Sequence, residues 1–373
     1  MRLAVGPSFI VLAPLFDIWD AMTLLPAPAH VAILATAAIA YGTSVSRSLA
    51  RRCGRFAWRQ LVKALALLAL LVAFYATGAL MMRPMVSLQV DDPDLVVVDF
   101  HSHTEASHDG RRGFSVERNR EWHHQAGYNV AYVTDHGTLG NVPSALAGNP
   151  NLAGDGTVLL PGFEARYAGQ HVNVLGFAAE SAYRGLPLSD LVSLSRRSRP
   201  VGVLTIPANI QAVFSSGPTN GVFIGVEVVD GSPRGLDFGV RQREALKDLA
   251  ARIRAPLVVG SNNHGWGGAA PVWTVIRIPG WRRLTPRMLD SVILEALEDR
   301  ENGRVTAVER VPPAPAAGQV FVAEVARLTR NPFRTLSRSE QLAWVGWAWL
   351  AWLIPSRLRP SELGTWLGSV ITR

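Results

Sequence analysis

Cysteine is almost absent from this chain of 373 residues, which contains only Cys53. A single cysteine excludes a disulfide framework within the chain and a metal site built on cysteine pairs. Charged residues are also scarce: they make up 18% of the sequence, whereas hydrophobic residues make up 48%. The positive mean hydropathy that results, +0.16, is unusual for a wholly soluble protein and predicts membrane segments.

Acidic residues are missing from positions 47–63, and this stretch is strongly basic. Its cations are Arg47, Arg51, Arg52, Arg55, Arg59 and Lys63. They account for most of the formal net charge of +8, so the charge does not indicate a nucleic-acid partner. Because the basic stretch lies between two apolar segments, the positive-inside rule places it in the cytoplasm.

Three apolar segments near the N-terminus are candidate transmembrane helices. Residues 61–82 are apolar over the roughly 20 positions that a bilayer requires, and residues 29–46 form a weaker second segment. The segment at 3–25 is interrupted by Asp17 and Asp20, so a shorter span with an interfacial tail is one interpretation of it. A signal peptide is the alternative for that segment, although no small-residue cleavage site is evident. The helix at 61–82 is expected to carry the chain out of the cytoplasm.

Composition divides the chain into four parts. We expect a membrane region with two or three transmembrane helices at 1–84, a folded domain at 95–312, a linker at 313–340 and a Trp-rich, membrane-associated segment at 341–373. Tryptophan prefers the headgroup region of a bilayer. The last segment therefore fits either a span that returns to the cytoplasm, which is slightly favoured, or a helix in the interface. The lipid bilayer is an expected partner.

Within residues 95–312, apolar β-branched runs alternate with helical patterns. Strands are predicted at 95–100, 129–134, 157–163, 171–177, 201–206, 222–229, 256–260, 272–278 and 304–310. This alternation is typical of an α/β fold with parallel strands joined by crossover helices. Ligands bind at the carboxyl ends of such strands, so polar residues there are candidates for a functional site.

Histidines mark the ends of several predicted strands. His101 and His103 form a His-x-His pair, and residues two apart on a strand point to the same side. His136, His171 and His264 stand at or near the ends of other apolar runs. A solvated or buried pair is the alternative for the His-x-His motif taken alone. The repeated placement of histidine at strand ends nevertheless predicts one shared site.

Further polar residues lie in or near these loops. Asp109 offers a carboxylate, and imidazole with carboxylate suits zinc, manganese or iron rather than calcium or magnesium alone. His108 is either an additional ligand or a solvent-facing turn residue, and the second interpretation is preferred. Glu227 faces either the site or a buried polar contact. His123 and His124 are expected to pack on a helix or to lie at the surface.

Taken in order, these motifs resemble those of the PHP (polymerase and histidinol phosphatase) superfamily. They are His101-Ser-His103-Thr with Ser107-His-Asp109-Gly, Thr134-Asp135-His136, Pro161-Gly-Phe-Glu164 with His171, and Gly260-Ser-Asn-Asn-His264. The resemblance covers roughly residues 95–310. It implies a distorted (βα)7 barrel with two or three metal ions at the carboxyl ends of its strands. Members hydrolyse phosphomonoesters or phosphodiesters, and a branch resembling carbamate hydrolases cleaves other esters.

The resemblance also implies a set of metal ligands. Glu164 would bridge two ions. The first ion would be held by His101, His103 and Glu164, the second by Glu164 and His171, and the third by Asp109, His136 and His264.

Two more residues would assist catalysis. Asp135, beside His136, would orient an imidazole without touching the metal. Arg166 lies in a loop where its cation could hold an anionic substrate, as do Arg111 and Arg112. Solvated side chains are the alternative for all three arginines.

The chain departs from the family pattern at two positions. Ile206 stands where the family usually has a histidine before proline, and Asn262 stands where it usually has an aspartate. Isoleucine cannot bind a metal, and Asn262 offers only a neutral carbonyl oxygen. We therefore expect one or two divalent transition metal ions rather than three.

These features together predict a metal-dependent hydrolase in the cell membrane with its catalytic domain outside the cytoplasm. Ions about 3.5–4 Å apart can activate water and clamp the oxygens of an in-line displacement, so a phosphoesterase acting on small anionic esters is the leading expectation. One alternative is a carbamate or carbonyl-ester hydrolase. Another is a degenerate domain that binds a metal or a ligand at the membrane. Neither the substrate nor the oligomeric state follows from the sequence.

Overall fold

The computed structural model describes most of the chain. The described residues are 1–25, 27–49, 55–167, 170–176, 201–205, 223–233, 240–299, 303–310 and 334–357. Ile206 and most of the predicted linker at 313–340 lie outside them, and so does the end of the Trp-rich segment.

One mixed sheet forms the centre of the structure. Its strands are β3 (Leu95–Ser102), β4 (Val130–Val133), β5 (Val158–Tyr167), β6 (Gln170–Leu175), β7 (Val201–Leu204), β8 (Phe223–Asp230), β9 (Leu257–Gly260), β10 (Val272–Arg277) and β11 (Val305–Glu309). They lie in the order β11-β10-β3-β4-β5-β6-β7-β8-β9. Each strand predicted from the apolar runs is present. A separate antiparallel pair is formed by β1 (Arg2–Ala4) and β2 (Ser87–Gln89).

The sheet is nearly closed into a barrel, because the end of β9 meets β3. The Asn262 N–H donates to the His101 carbonyl oxygen at 2.7 Å, and the His103 N–H donates to the Asn263 carbonyl oxygen at 2.9 Å. This arrangement agrees with the expected α/β, barrel-like fold. It also brings the first and the last histidine motif of the sequence together.

Two strands run against the predicted direction. β6 is antiparallel to β5 and β7, and β10 is antiparallel to β3 and β11. The prediction of uniformly parallel strands is therefore wrong for β6 and β10. Only residues 168–169 separate β5 from β6, whereas a parallel connection needs a crossover of about a dozen residues or more.

Helices pack against the sheet and are bounded by local signals. They are α5 (Val116–Ala126), α6 (Val142–Ala147), α7 (Val240–Ile253) and α8 (Pro286–Glu298). Ser115 caps α5 by accepting a hydrogen bond from the Arg118 N–H, and Gly127 ends it with a φ of 86°. Side chains alternate along β3, so Val96 and Val98 pack in one core cluster with α8, whereas Val97 packs in another with α5.

Asp290 of α8 should make stability depend on pH. The Tyr132 hydroxyl donates to Asp290 Oδ1 at 2.7 Å. Burial raises the pKa of Asp290 from 3.8 to about 6, against the lowering effect of that hydrogen bond. Because the pKa is higher in the folded than in the unfolded state, the protonated carboxyl favours folding below about pH 4, and this contribution is lost as the pH rises through about 6.

The variant D290N should remove this pH dependence. We expect the free energy of unfolding to rise by about 1–2 kcal/mol at pH 8 and to change little at pH 4. Thermal unfolding at both pH values measures the effect, with D155N as a control on an exposed aspartate. Equal changes at the two pH values would contradict the expectation.

The N-terminal helices and the last described helix form a bundle next to the barrel. They are α1 (Pro7–Val11), α2 (Ala13–Thr23), α3 (Ala27–Leu49), α4 (Arg55–Leu80) and α9 (Arg338–Arg357). Within the described parts of the chain, two helical stretches are long and apolar enough to cross a membrane, Ala29–Ser46 and Trp58–Leu80. Only 11% and 6% of these stretches are buried, unlike the core helices of soluble proteins.

The expected span at 3–25 is instead divided into two short helices, and its aspartates have another role. Asp20 lies 2.5 Å from Arg83 and 2.8 Å from Arg310, which follows β11. Arg310 is also 3.8 Å from Glu340 of α9. We call these four residues the charged joint, because they link α2 and α9 to the barrel. Asp17 is buried as well and accepts a hydrogen bond from an indole of α9.

Candidate metal centre

The side chains predicted as ligands from strand ends and motifs meet at one edge of the barrel. They fall into groups of three whose candidate ligand atoms all lie within 4.8 Å of one another. The groups are His101, His103 and Glu164; His103, His136 and His264; His136, Glu164 and His171; and His108, Asp109 and His136.

Glu164 lies at the centre of these groups. Its Oε2 is 3.4 Å from His101 Nε2, 3.4 Å from His103 Nε2 and 3.0 Å from His136 Nδ1, and its Oε1 is 2.6 Å from His171 Nδ1. Ligands that bind one tetrahedral zinc ion at about 2.0–2.1 Å lie about 3.3 Å from one another. The distances from Glu164 Oε2 to His101 and His103 therefore fit a shared ion.

Asp109 completes the site on its open side. Its two carboxylate oxygens lie 3.4 Å from His136 Nε2 and 3.2 Å from His264 Nδ1. The Asp109 side chain is 46% exposed and that of His171 is 39% exposed, whereas His103 is fully buried. The site is thus closed at His103 and open to solvent at Asp109 and His171.

The direction of each strand explains how these residues meet. His101 lies near the carboxyl end of β3, and His136 follows β4 and forms an isolated bridge with Glu164. His171 instead lies at the amino end of β6. Because β6 is antiparallel, its amino end is at the same edge of the sheet as the carboxyl ends of its neighbours. The expectation that all ligands follow carboxyl ends is wrong for His171, yet the residue joins the site.

Three imidazoles of the site have one nitrogen committed to the protein. The contacts are His101 Nδ1 to Glu227 at 3.2 Å, His103 Nδ1 to Ser107 at 3.0 Å and His264 Nε2 to Asn262 at 2.9 Å. The opposite nitrogens of these three rings, and Glu164 Oε2, are buried and make no hydrogen bond within the described parts of the chain. Buried polar atoms normally have partners. Their convergence fits a bound cation.

Asn262 was expected as a weak ligand, but the structure gives its side chain other contacts. Its amide donates to Asp230 Oδ2 at 3.2 Å, and its carbonyl oxygen faces His264 Nε2. With this oxygen as acceptor, His264 carries its proton on Nε2 and directs the Nδ1 lone pair toward Asp109. Asn262 has a φ of 46°, a left-handed conformation that asparagine adopts more readily than most residues. Asn262 thus orients the His264 imidazole, and its carbonyl oxygen is already engaged.

Asp135 acts on the site through Ser107. It accepts hydrogen bonds from the Thr104 N–H at 2.6 Å, the Thr104 hydroxyl at 2.7 Å and the Ser107 hydroxyl at 3.2 Å. Ser107 in turn contacts His103 Nδ1 and accepts from the His136 N–H. Through Ser107, Asp135 therefore helps to position two candidate ligands, His103 and His136.

Asp99 supports the backbone beside the site, and the sequence analysis did not single it out. It is fully buried and accepts hydrogen bonds from the His101 N–H at 3.0 Å and the Ser261 N–H at 2.8 Å. Its other oxygen is 2.8 Å from His123 Nε2. His123, expected to pack on its helix, is buried in that role. An acidic residue within the apolar run 95–100 was the available signal for a buried polar contact.

The other nearby polar residues are placed as follows. The Arg111 guanidinium donates to the Leu80 carbonyl oxygen at 3.0 Å, so it is committed to α4 rather than to a substrate. Arg112 is exposed. Arg166 pairs with His171 in the β5–β6 ladder, and its side chain lies outside the described parts of the structure. His108 is exposed but belongs to one of the possible ligand groups.

Burial and neighbouring charges shift the pKa values of the side chains in the site. Burial would lower the pKa of His101, but the charges of Glu227 and Glu164 outweigh it and hold this pKa well above its usual value. Burial lowers the pKa of His103 and lowers that of His264 to about 4. Burial also raises the pKa of Glu227 to about 7. His103 and His264 are therefore neutral near pH 7, the form that binds metals.

Metal binding should release protons. A proton and a cation would compete for the lone pair of His101 Nε2, so its raised pKa weakens metal binding at low pH. We expect the apparent affinity for Zn²⁺ to be higher at about pH 8 than at about pH 6, with about one proton released per ion. Calorimetric titration in buffers of different ionisation enthalpy measures this release. Affinity that is independent of pH, without proton release, would contradict the expectation.

Comparisons with known proteins give distant structural likenesses only. No protein-family model matches the sequence, and no curated protein does so either. A two-domain protein from Bacteroides vulgatus that contains a predicted PHP-like metal-dependent phosphoesterase is similar, with 17% identity, coverage of 63% of this chain and 71% of that one, and a TM-score of 0.39. An amidohydrolase from Chromobacterium violaceum shares 14% identity, with coverage of 57% and 97% and a TM-score of 0.34. A lesion-specific endonuclease from Pyrococcus furiosus shares 10% identity, with coverage of 59% and 60% and a TM-score of 0.38. At these identities and TM-scores, the likenesses assign no function.

Proposed function

We propose that this protein is a membrane-anchored, metal-dependent phosphoesterase of the PHP type. The observation that carries the proposal is the group of buried candidate ligand atoms around Glu164 that make no hydrogen bond with any residue the structure describes. Leaving a buried donor or acceptor unsatisfied costs about 1–3 kcal/mol. Several such atoms facing one another support a bound cation as their common partner.

One or two divalent ions, zinc, manganese or iron, would supply Lewis acidity toward water and toward a phosphoryl oxygen. The chain provides the remaining parts of the site. His101, His103 and Glu164 would hold the most buried ion. Glu227 and Ser107 orient the imidazoles so that their free lone pairs face inward. The Ser107 hydroxyl is engaged with Asp135 and His103, so we do not propose it as the nucleophile.

An assay of the full chain in detergent tests the proposal. Metal content is measured first, and hydrolysis is then measured with a phosphomonoester, a phosphodiester, a carboxyl ester and a carbamate. We expect phosphoester hydrolysis and at least one ion per chain. The variant H103A should lose both, while H124A, which changes an exposed histidine of α5, should retain both. Activity on the carboxyl ester or the carbamate alone would show that the proposed phosphoester reaction is wrong. Wild-type protein without metal or activity would refute the proposal as a whole.

Membrane anchoring is the second part of the proposal and has its own test. The basic stretch at 47–63 and the apolar stretch Trp58–Leu80 support a barrel on the extracytoplasmic side. A reporter that is active only outside the cytoplasm should be active when fused after Asp94. Activity of a cytoplasm-specific reporter at the same position would reverse the orientation.

A further inference from the structure

We infer that the substrate is a phosphoester carried by a membrane lipid and presented to the metal centre from the headgroup layer. This inference rests on the proposed function and adds the source of the substrate to it. Its basis is the orientation of the barrel: the edge that carries the candidate ligands is also the edge that contacts the end of the candidate membrane helix α4 and the helix α2 packed beside it. Three separate contacts establish this orientation.

The first contact is made by the loop that follows His264. The Gly267 N–H donates to the Ala79 carbonyl oxygen in the last turn of α4, at 2.9 Å. Gly267 has a φ of 81°, and a Cβ atom at this position would lie 2.5 Å from the Thr23 side chain of α2. The loop is therefore packed against the ends of two helices, and only a glycine permits the approach.

The second contact is made by the loop that carries Asp109. The Arg111 N–H donates to the His264 carbonyl oxygen at 2.9 Å, and the Arg111 guanidinium donates to the Leu80 carbonyl oxygen at 3.0 Å. The last carbonyl groups of a helix lack partners within the helix, and Arg111 supplies one. A single residue thus joins a ligand-bearing loop to the end of α4.

The third contact is the charged joint. Since β10 is antiparallel to both β3 and β11, β11 runs in the same direction as β3. Arg310, at the carboxyl end of β11, therefore lies at the edge of the sheet where the ligands lie. Its ion pair with Asp20 connects this edge to α2 at 2.8 Å.

The length of the connection places the metal centre near the bilayer surface. Three residues lead from His264 to Gly267, and a chain extends at most about 3.6 Å per residue. The His264 backbone therefore lies within about 14 Å of the end of α4. If Trp58–Leu80 spans the hydrocarbon core, this end marks its boundary, and the headgroup layer beyond it is about 5–8 Å thick. A lipid would therefore have to be lifted little or not at all from the bilayer for its phosphate to reach such a site.

The exposed residues at this edge suit a lipid surface. Trp266, two residues after His264, is 55% exposed, and Leu80 and Met81 at the end of α4 are 48% and 41% exposed. Tryptophan prefers the membrane interface. The open side of the site, at Asp109 and His171, provides an entrance for a headgroup.

Kinetic measurements with the full chain in phosphatidylcholine vesicles test the inference. The vesicles contain phosphatidic acid or phosphatidylglycerol, and the deacylated counterparts, glycerol 3-phosphate and glycerophosphoglycerol, are supplied in solution. We expect kcat/KM to be at least about 100-fold higher for one of the lipids than for its soluble counterpart. W266A should lower this ratio by about 10-fold, mainly through KM. The matched control W58A changes an exposed tryptophan at the opposite end of α4 and should leave the ratio unchanged.

A measurement without catalysis tests the position of the loop. Because Cys53 is the only cysteine, a C53S background allows a fluorophore to be attached at W266C or, as a control, at R282C on the exposed turn before α8. Lipids with a quencher in the headgroup region should quench the label at position 266 and not at position 282.

The two measurements separate the inference from the proposed function. Equal efficiency on lipid and soluble esters, or a label at position 266 that lipid quenchers do not reach, would overturn the inference alone. Absence of hydrolysis with every phosphoester would overturn the proposed function, and the inference with it.

Discussion

Replacing Glu164 with glutamine is expected to lower kcat/KM for the best substrate by at least about 10³-fold and to reduce the bound metal below half of the wild-type content. Glutamine has nearly the same shape and keeps one carbonyl oxygen, but it carries no charge. Glu164 lies within 3.4 Å of four imidazoles. Without its negative charge, the buried histidines would hold a dication with little compensation.

The expected loss of activity and metal is large because Glu164 lies at the centre of the site. Two other variants, which change acids farther from the centre, test this explanation. E121Q changes an exposed glutamate of α5 and should keep full activity and metal content. D135N acts on the ligands only through Ser107, so its loss should be about 10–100-fold. Metal analysis and steady-state kinetics on the same preparations measure both effects. Wild-type metal content and activity in E164Q would contradict the proposed site.

Replacing Asp20 with alanine is expected to lower the free energy of unfolding by about 3–5 kcal/mol. The variant removes the carboxylate that contacts both arginines of the charged joint. Arg83 and Arg310 would then remain buried with Glu340, 3.8 Å from Arg310, as their remaining acid in the joint. Breaking a buried ion pair from one side costs more than the pair contributes, because a charge is left without compensation.

Thermal unfolding in detergent measures this loss, which corresponds to a decrease of about 4–6 °C in Tm. R277A is the control: Arg277 lies 2.7 Å from Asp92, but both side chains are exposed. Its cost should be below about 1 kcal/mol. A loss in D20A no larger than that in R277A would show that the charged joint does not hold the helices to the barrel.

The strands were predictable because their signal is local. Apolar β-branched runs such as 95–100 and 272–278 are read directly from neighbouring residues, and the structure places strands at both. The direction of a strand within the sheet cannot be read from neighbouring residues, because it depends on which strands pair. The short gap at 168–169 could have shown that β6 returns antiparallel to β5.

The candidate ligands were predictable for a related reason. Histidine and acid side chains at strand ends are visible in the sequence, and the order of the motifs supplied the remaining positions. The residues that orient the ligands were harder to find. Asn262 has the chemistry of a weak ligand, and only its contacts with Asp230 and His264 show that its oxygen is committed.

In the helical region, the hydropathy pattern of the sequence does not show which apolar segments contain buried ion pairs. Asp17 and Asp20 interrupt an apolar segment, and the sequence alone gives no partner for either. Their partners are Arg83, Arg310 and an indole of α9, all of them remote in sequence. Polar residues in apolar segments acquire a meaning only when the tertiary contacts are known.

The closure of β9 on β3 sets an order for the biogenesis of the site. A ribosome delivers His101 and His103 long before it delivers His264, and Asp99 waits for the Ser261 N–H over the same interval. A nascent chain that ends before residue 264 therefore has only some of the side chains that could bind a cation. Chains released before residue 264 should therefore lack the part of the site that His264 forms with His103 and His136.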